Sequence, residues 1–373
     1  MDQSEPTILV QAIGDIAFFR TLQESYFRLG VSPFAPALST LKQADVLVAD
    51  FEFAFSREAK PGTAESNDSY RVRPEAIGML SATKIDVCSL ANNHILDWGL
   101  EGIRTTQDLL SGMGIQTLGA GADCSEARRP VVLERGGIWL GFLAYAKPSD
   151  CSCTEQQPGA AALRAEEVIR DIAALKPQVD HIILLLHWGI EFCDYPYPDD
   201  VNLGRTFIDK GASVVLGCHA HVIQGIERYR HGVIYYGLGN FIYDPHGEQI
   251  FVDAKLRERR ECIIAKVWLT RSQVVGFDFI PCWIRDDGCT VVLEGEAEQA
   301  LRQRVHTISA QIGNPGAVYA TAVGNLLKRE LQTYWFYLRR DGLCFIWRVL
   351  RDFKWRHVKL VVGYCASWML RRG

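Results

Sequence analysis

An α/β fold, with parallel units first and antiparallel strands later, follows from three features of the sequence. Short apolar runs alternate with helix-period segments, hairpin patterns gather in the later part, and polar residues able to bind metal close one strand after another. The runs are 8–13, 46–48, 87–90, 182–186 and 214–217, each of strand length and β-branched content. Helical spacing lies between them at 100–113 and 162–175. Alternation of this kind builds parallel sheets with crossover helices. Paired runs come next: 131–134 with 138–144 across Arg135-Gly136-Gly137, and 226–229 with 233–236 across Arg230-His231-Gly232. A third pair, 262–270 with 274–280, turns at Arg271-Ser272-Gln273. The combination suits two sheets packed face to face. Segments 55–70 and 194–200 read as surface loops. After Glu294, Leu301, Val305, Ile308 and Ile312 recur at helix spacing until Gly313-Asn314-Pro315-Gly316 stops them.

The 373 residues, 48% hydrophobic and 23% charged, suffice for a large sandwich and a tail. A net charge of −4 argues against a general nucleic-acid binder. The charge is uneven: 333–373 holds nine Lys/Arg and two Asp/Glu, a basic tail on an acidic body. The polar opening 1–6 does not read as a secretory signal, and no apolar run reaches the roughly 20 residues of a membrane span. Eleven cysteines, an odd number without a CxxC pair, are expected to be reduced thiols of a cytoplasmic protein.

Chemistry is concentrated at the strand ends. Asp15 follows the first run, Glu52 the second, Asn93 and His94 the third, His187 the fourth, and His219 and His221 the fifth. Open α/β sheets bind ligands beyond the carboxyl ends of their strands. Carboxylate, amide oxygen and imidazole together suit divalent Mn, Fe or Zn. Singly, each has a plain reading: Gly14-Asp15 as a turn, Glu52 as a solvated charge, His187 as a core histidine. Five coincidences in five strands favour a site.

The motifs resemble those of the bacterial capsule-synthesis CapA family, within the calcineurin-like metallophosphoesterase superfamily. Ser89-Leu90-Ala91-Asn92-Asn93-His94 with Asp97, Gly99 and Gly102 is similar to its central signature. His187-Trp188-Gly189 with Glu191, Gly217-Cys218-His219-Ala220-His221-Val222 with Gln224 and Glu227, and Tyr236-Gly237-Leu238-Gly239-Asn240-Phe241 are similar to three others. Spacing through Gly119-Ala120-Gly121, Glu126-Ala127 and Pro130 also matches, so the likeness runs from about Ile8 to Asp244.

This resemblance implies a four-layer α/β/β/α sandwich over residues 1–290, followed by a helical, basic and aromatic extension over 291–373. It implies two metal ions, one on Asp15 and His221, the other on Asn93, His187 and His219, with Glu52 bridging. His94 would be the catalytic acid, supported by Asp97 or with Asp97 merely starting the next helix. Arg73 and Asn240 would contact substrate. Such a pair of ions activates a water for in-line attack. Three departures stand out: Ala17 replaces the usual His and weakens one metal site, Ile95 replaces an acid, and Gly237 replaces Ser.

The function expected is hydrolysis of phosphoester-type bonds during synthesis of a capsule or a poly-γ-glutamate-like exopolymer. Its alternatives are an amide hydrolase, and a polymer-binding or assembly factor with a degraded metal site. In the tail, Leu343, Ile346, Trp347, Leu350 and Phe353 share a helical face among Arg348, Arg351, Lys354 and Arg356. That pattern suits an anionic membrane surface or a membrane-bound synthase, on the inner face of the membrane.

Overall fold

β1 (Ile8–Ile16) leads through α1 (Thr21–Leu29) and the short α2 (Leu38–Leu41) into β2 (Val46–Phe51). The computed structural model describes residues 5–57, 71–245, 258–314 and 316. A 3-10 segment, Pro74–Leu80, precedes β3 (Val87–Ser89), α3 (Gly99–Gly112) and β4 (Gln116–Leu118). Next come β5 (Ala120–Gly121), α4 (Cys124–Ala127), the hairpin β6 (Val131–Arg135) and β7 (Ile138–Ala146), and β8 (Gly159–Ala160). α5 (Ala165–Leu175), β9 (His181–His187), α6 (Pro198–Lys210) and β10 (Val214–Cys218) form two further crossovers. The chain continues through β11 (Ile226–Tyr229), β12 (Gly232–Tyr235) and β13 (Asn240–Ile242). It then runs through β14 (Glu261–Leu269), β15 (Val274–Ile284), β16 (Thr290–Val292) and α7 (Gly295–Ser309).

Two mixed sheets result. The larger has the order β16-β15-β14-β1-β2-β3-β4, with β13 also beside β1; β1 to β4 are parallel and β14 to β16 antiparallel. The smaller has the order β11-β12-β10-β9-β7-β6, with a parallel centre and antiparallel edges. Side-chain alternation assigns the layers. From β9, Ile183 and Leu185 enter the core shared with Val10 and Ala12 of β1. Its other face sends Ile182, Leu184 and Leu186 against Val168 and Ile172 of α5 and Phe207 and Ile208 of α6. The Tyr235 hydroxyl crosses from β12 to the carbonyls of Lys266 at 2.9 Å and Asp278 at 2.7 Å. The architecture is the α/β/β/α sandwich expected.

Three expectations are corrected. The loop at 194–200 ends early, because Pro198 opens α6, where its fixed φ and missing N–H suit a first helical position. Within 55–70, Phe55 is fully buried and pairs with Val72, so the surface loop does not begin there; 58–70 lie outside the described residues. Cys124 and Cys153 are bridged, tying α4 to the segment before β8, whereas seven other cysteines among the described residues are free. α7 buries Leu301, Val305 and Ile308, the expected stripe. The basic tail lies outside the described residues. Among those described, no helix is long and apolar enough to cross a membrane.

Gly217 shows how tightly the smaller sheet closes. A Cβ there would lie 2.0 Å from the Tyr236 carbonyl oxygen and 2.5 Å from Trp188 Nε1, which itself donates to that carbonyl at 2.9 Å. Gly217→Ala is therefore expected to destabilise the fold by about 1–3 kcal/mol, the usual penalty of overpacking. A lower denaturant midpoint with unchanged slope is the readout; an unchanged midpoint would show that the sheet yields at this point.

Candidate metal centre

Every strand that delivers a polar group does so at its carboxyl end, and the two sheets bring those ends together. Asp15 stands near the end of β1 and pairs in register with Asn240 of β13. Asp50 and Glu52 are two apart along the β2 direction. Asn93 and His94 follow β3, His187 ends β9, and His219 and His221 follow β10. The β10 loop bends sharply: His219 has φ 86° and His221 φ 57°. Positive φ in non-glycine residues costs on the order of 1–3 kcal/mol each and persists only where the surroundings impose it. Here the His219 amide donates to both Asp15 oxygens, at 3.1 and 3.2 Å. Nearby, Gly14 and Gly239 meet so closely that a Cβ at Gly14 would sit 2.0 Å from the Gly239 carbonyl oxygen.

Glu52 lies between two imidazoles, its Oε1 at 3.6 Å from His187 Nε2 and 3.5 Å from His221 Nε2. Ligand atoms of Glu52, His219 and His221 all fall within 4.8 Å of one another. Behind the rings stands a second acidic layer. His187 Nδ1 is 2.9 Å from Asp50 Oδ2, and Asn240 Oδ1 is 2.9 Å from His221 Nδ1. A carboxylate or amide on the far ring nitrogen is the usual support of a metal-binding histidine. With Nδ1–H donating to Asp50, the His187 Nε2 lone pair faces Asn93 Oδ1 at 2.9 Å. Both atoms are of the donor types that would hold a divalent cation. His219 Nδ1 is likewise buried without a hydrogen-bond partner among the described residues. Donor chemistry and geometry therefore fit a divalent metal.

Burial governs the charges. It holds His187 and His219 well below the usual imidazole range, helped by neighbouring histidines, so both are neutral. Metal ligation requires that state. Burial also pushes Asp15 up to about 8 and Asp50 up to about 7; hydrogen bonds from His219 to Asp15 and from Ser89 to Asp50 oppose it.

His94 lies outside the cluster, about a quarter exposed, with Nδ1 2.9 Å from Asp97 Oδ2. Asp97 does not cap α3, which starts at Gly99 after an N-cap Trp98 that has no side-chain cap. Asn92 sets this turn, donating to Phe51 O at 2.7 Å and accepting from the His94 amide at 2.9 Å. Asp15, Glu52, Asn93, His187, His219, His221 and Asn240 thus converge. Arg73 does not join them; it pairs with Glu24 of α1 at 2.9 Å and lies 4.0 Å over the Phe27 ring. Asn240 is buried against His221. Sequence reasoning missed Asp50. The signal was there, since alternate residues of one strand share a face and Glu52 had already marked it. Other signature residues brace the scaffold: Glu227 holds Arg205 and the Tyr236 hydroxyl, and Gln224 donates to Cys193 O at 2.9 Å.

Residues 9–245 match the family model described as bacterial capsule synthesis protein PGA_cap. The capsule biosynthesis protein CapA of Bacillus anthracis is 27% identical over 241 residues, 62% of this chain and 59% of that protein. The PGA biosynthesis protein CapA of Bacillus subtilis is 26% identical over 245 residues, 65% of this chain and 64% of that protein. The match thus spans less than two thirds of either relative. Among solved structures, a 5'-nucleotidase precursor from Thermus thermophilus is similar with a TM-score of 0.46 and 15% identity, covering 82% of this chain and 59% of that one.

The Asp15–Asp50 pair makes stability depend on pH. Unfolded carboxyls titrate near pH 3.9, so folding takes up protons at this pair; its contribution is full below about pH 4 and lost as pH rises through the raised values. His187 and His219, neutral when folded, act oppositely, but only below about pH 6.5. Chelator-treated protein is therefore expected to lose unfolding free energy from pH 7 to 9, and Asp50→Asn to flatten that fall. The same substitution is expected to weaken metal binding about 10–100-fold through His187. A wild-type midpoint that rises across this range, or metal affinity untouched by Asp50→Asn, would contradict the assignment.

Proposed function

The chain belongs to the bacterial capsule synthesis family PGA_cap, and on that premise we propose that it is a metal-dependent hydrolase of phosphoester-type bonds acting in capsule or exopolymer biosynthesis. The observation that carries this reading is the Glu52–His219–His221 cluster, with ligand atoms within 4.8 Å of one another. Bound divalent ions, two in this reading and drawn from Mn, Fe or Zn, supply an activated water and neutralise charge on the reacting group. Glu52 faces the Nε2 atoms of His187 and His221 at 3.6 and 3.5 Å, so it would help these histidines hold the ions. Asp50 and Asn240 orient His187 and His221 from behind, each at 2.9 Å. Asp97 accepts from His94 Nδ1–H, which leaves Nε2 to carry the proton given to the leaving oxygen.

Ala17, fully buried in the place of the superfamily's histidine, supports a second reading: a polymer-binding or assembly factor with one weak metal site. Metal content separates the two. The enzyme reading expects tightly held metal and hydrolysis of aryl phosphates after Mn addition; less than one metal per chain and no such activity favours the assembly factor. Within the enzyme reading, His219→Ala and His187→Ala are expected to remove metal and turnover together. His94→Ala is expected to keep the metal and lower kcat by about 10²–10⁴-fold. If His94→Ala empties the site as His187→Ala does, the role given to His94 is wrong.

The tail extends this proposal to a location. Nine Lys/Arg against two Asp/Glu in 333–373, with Trp335, Trp347, Trp355 and Trp368, support reversible attachment to an anionic membrane surface. Each cation near such a surface contributes on the order of 1 kcal/mol, screened by salt. Full-length protein is expected to pellet with anionic vesicles at low salt and to be released at high salt. A chain ending at Leu331 is expected to stay in solution with its metal bound. Pelleting by the shortened chain, or none by the full one, would instead assign the tail to a protein partner.

A further inference from the structure

Apart from the imidazole cluster, α1 and the segment 71–73 line an open recess of about 800 Å³ bearing Arg20, Arg28, Arg71 and Arg73, with Glu24 the one acid among the described lining residues. Local structure explains why the arginines gather. Arg73 is extended (φ −73°, ψ 142°), so Arg71 and Arg73 share a face while Val72 between them enters the core. Gln23, itself buried, pins this segment by donating to Arg71 O at 2.7 Å and accepting from the Arg73 amide at 3.1 Å. Arg73 is neutralised in place by Glu24. Arg71 is not. Its Nη2 donates to Arg57 O at 2.9 Å, and its Nε is buried with no partner among the described residues. Neither Arg71 nor the exposed Arg28 has a carboxylate partner among those residues.

Among the described lining residues Arg28 and Arg71 have no carboxylate partner, and a bound anion would relieve the repulsion between such guanidiniums. A guanidinium offers a planar fork that matches the two oxygens of a carboxylate or phosphate. The volume falls within the roughly 300–1,000 Å³ of pockets that hold ligands of tens of atoms, far beyond one phosphate. We propose that this cavity binds a segment of an oligoanionic chain, one bearing carboxylates or phosphates at several positions, through Arg28 and Arg71. The inference rests on the proposed function for the identity of that chain as substrate. A row of rings relates the two sites: the Arg20 guanidinium lies 5.1 Å from the Phe19 ring, Phe19 5.4 Å from Tyr243, and Tyr243 5.2 Å from His221. The recess thus lies beside the imidazole cluster with one buried ring, Phe19, and Tyr243 between them.

Fluorescence anisotropy on the full-length protein tests this with two labelled chains, a glutamate decamer and a linear polyphosphate of similar charge. Wild-type protein is expected to bind at least one of them, more weakly as salt rises; the tighter one identifies the source of the anion. R28Q/R71Q is expected to weaken that binding by about tenfold, the weight of one charge-assisted pair. R28Q alone, on an exposed helix position, is expected to weaken it about threefold without any question of folding. Removing four tail charges (R348Q/R351Q/K354Q/R356Q) is expected to leave it within about twofold. Binding unaffected by R28Q/R71Q, or abolished by the tail variant alone, overturns the proposal. Metal content is read on the same preparations: a wild type that binds the chain but no metal sinks the hydrolase reading and spares the cavity.

Discussion

Two contacts between an aspartate and a histidine residue join the sheets where the site lies. Asp15 of the larger sheet accepts the His219 amide that follows the smaller one, and Asp50 of the larger sheet meets the His187 ring of the smaller at 2.9 Å. Each contact spans well over a hundred residues of sequence, so neither exists until both sheets are built and docked. The strained bend at His219 and His221 depends on the first, and the ring orientation of His187 on the second. Everything that makes the cleft chemical hangs on these two acids being dry, close together and matched by imidazoles.

That dependence explains how much the sequence discloses. Strands that end in candidate ligands are visible because burial demands a continuous apolar run and a polar site demands an abrupt stop; 182–186 before His187 and 214–217 before His219 are both read this way. Asp50 escapes because it lies past the apolar run 46–48, in a part of β2 visible only in the structure, where an acid looks like an exposed alternate rather than a buried partner. α6 escapes because Pro196 and Pro198 look like loop punctuation, although the second is a helix opener. The Cys124–Cys153 bridge is hidden for another reason: pairing across 29 residues of sequence is a property of the folded backbone and leaves no local trace.

The division of labour among signature residues is equally physical. Glu227, Gln224 and Asn92 are as polar as the ligands, yet each satisfies backbone or side-chain partners that hold a turn. A motif therefore mixes groups that touch the reacting centre with groups that merely keep the chain bent toward it, and only coordinates separate them. His94 and Asp97 belong to neither set. They form a partly exposed pair at the cleft's edge, outside the buried His187 and His221.

The Gly14–Gly239 approach has a bearing on how such a protein can change over evolutionary time. Backbone meets backbone there without room for a single methyl group, and Gly239 sits at φ 76°, open to few other residues. The frame that carries Asp15 and Asn240 is consequently closed to drift. Variation is left to the side chains projecting from it. A side chain in this cleft can be as small as the buried Ala17 while the backbone frame around it stays closed. The recess would then outlast a change in any one of the side chains that line it.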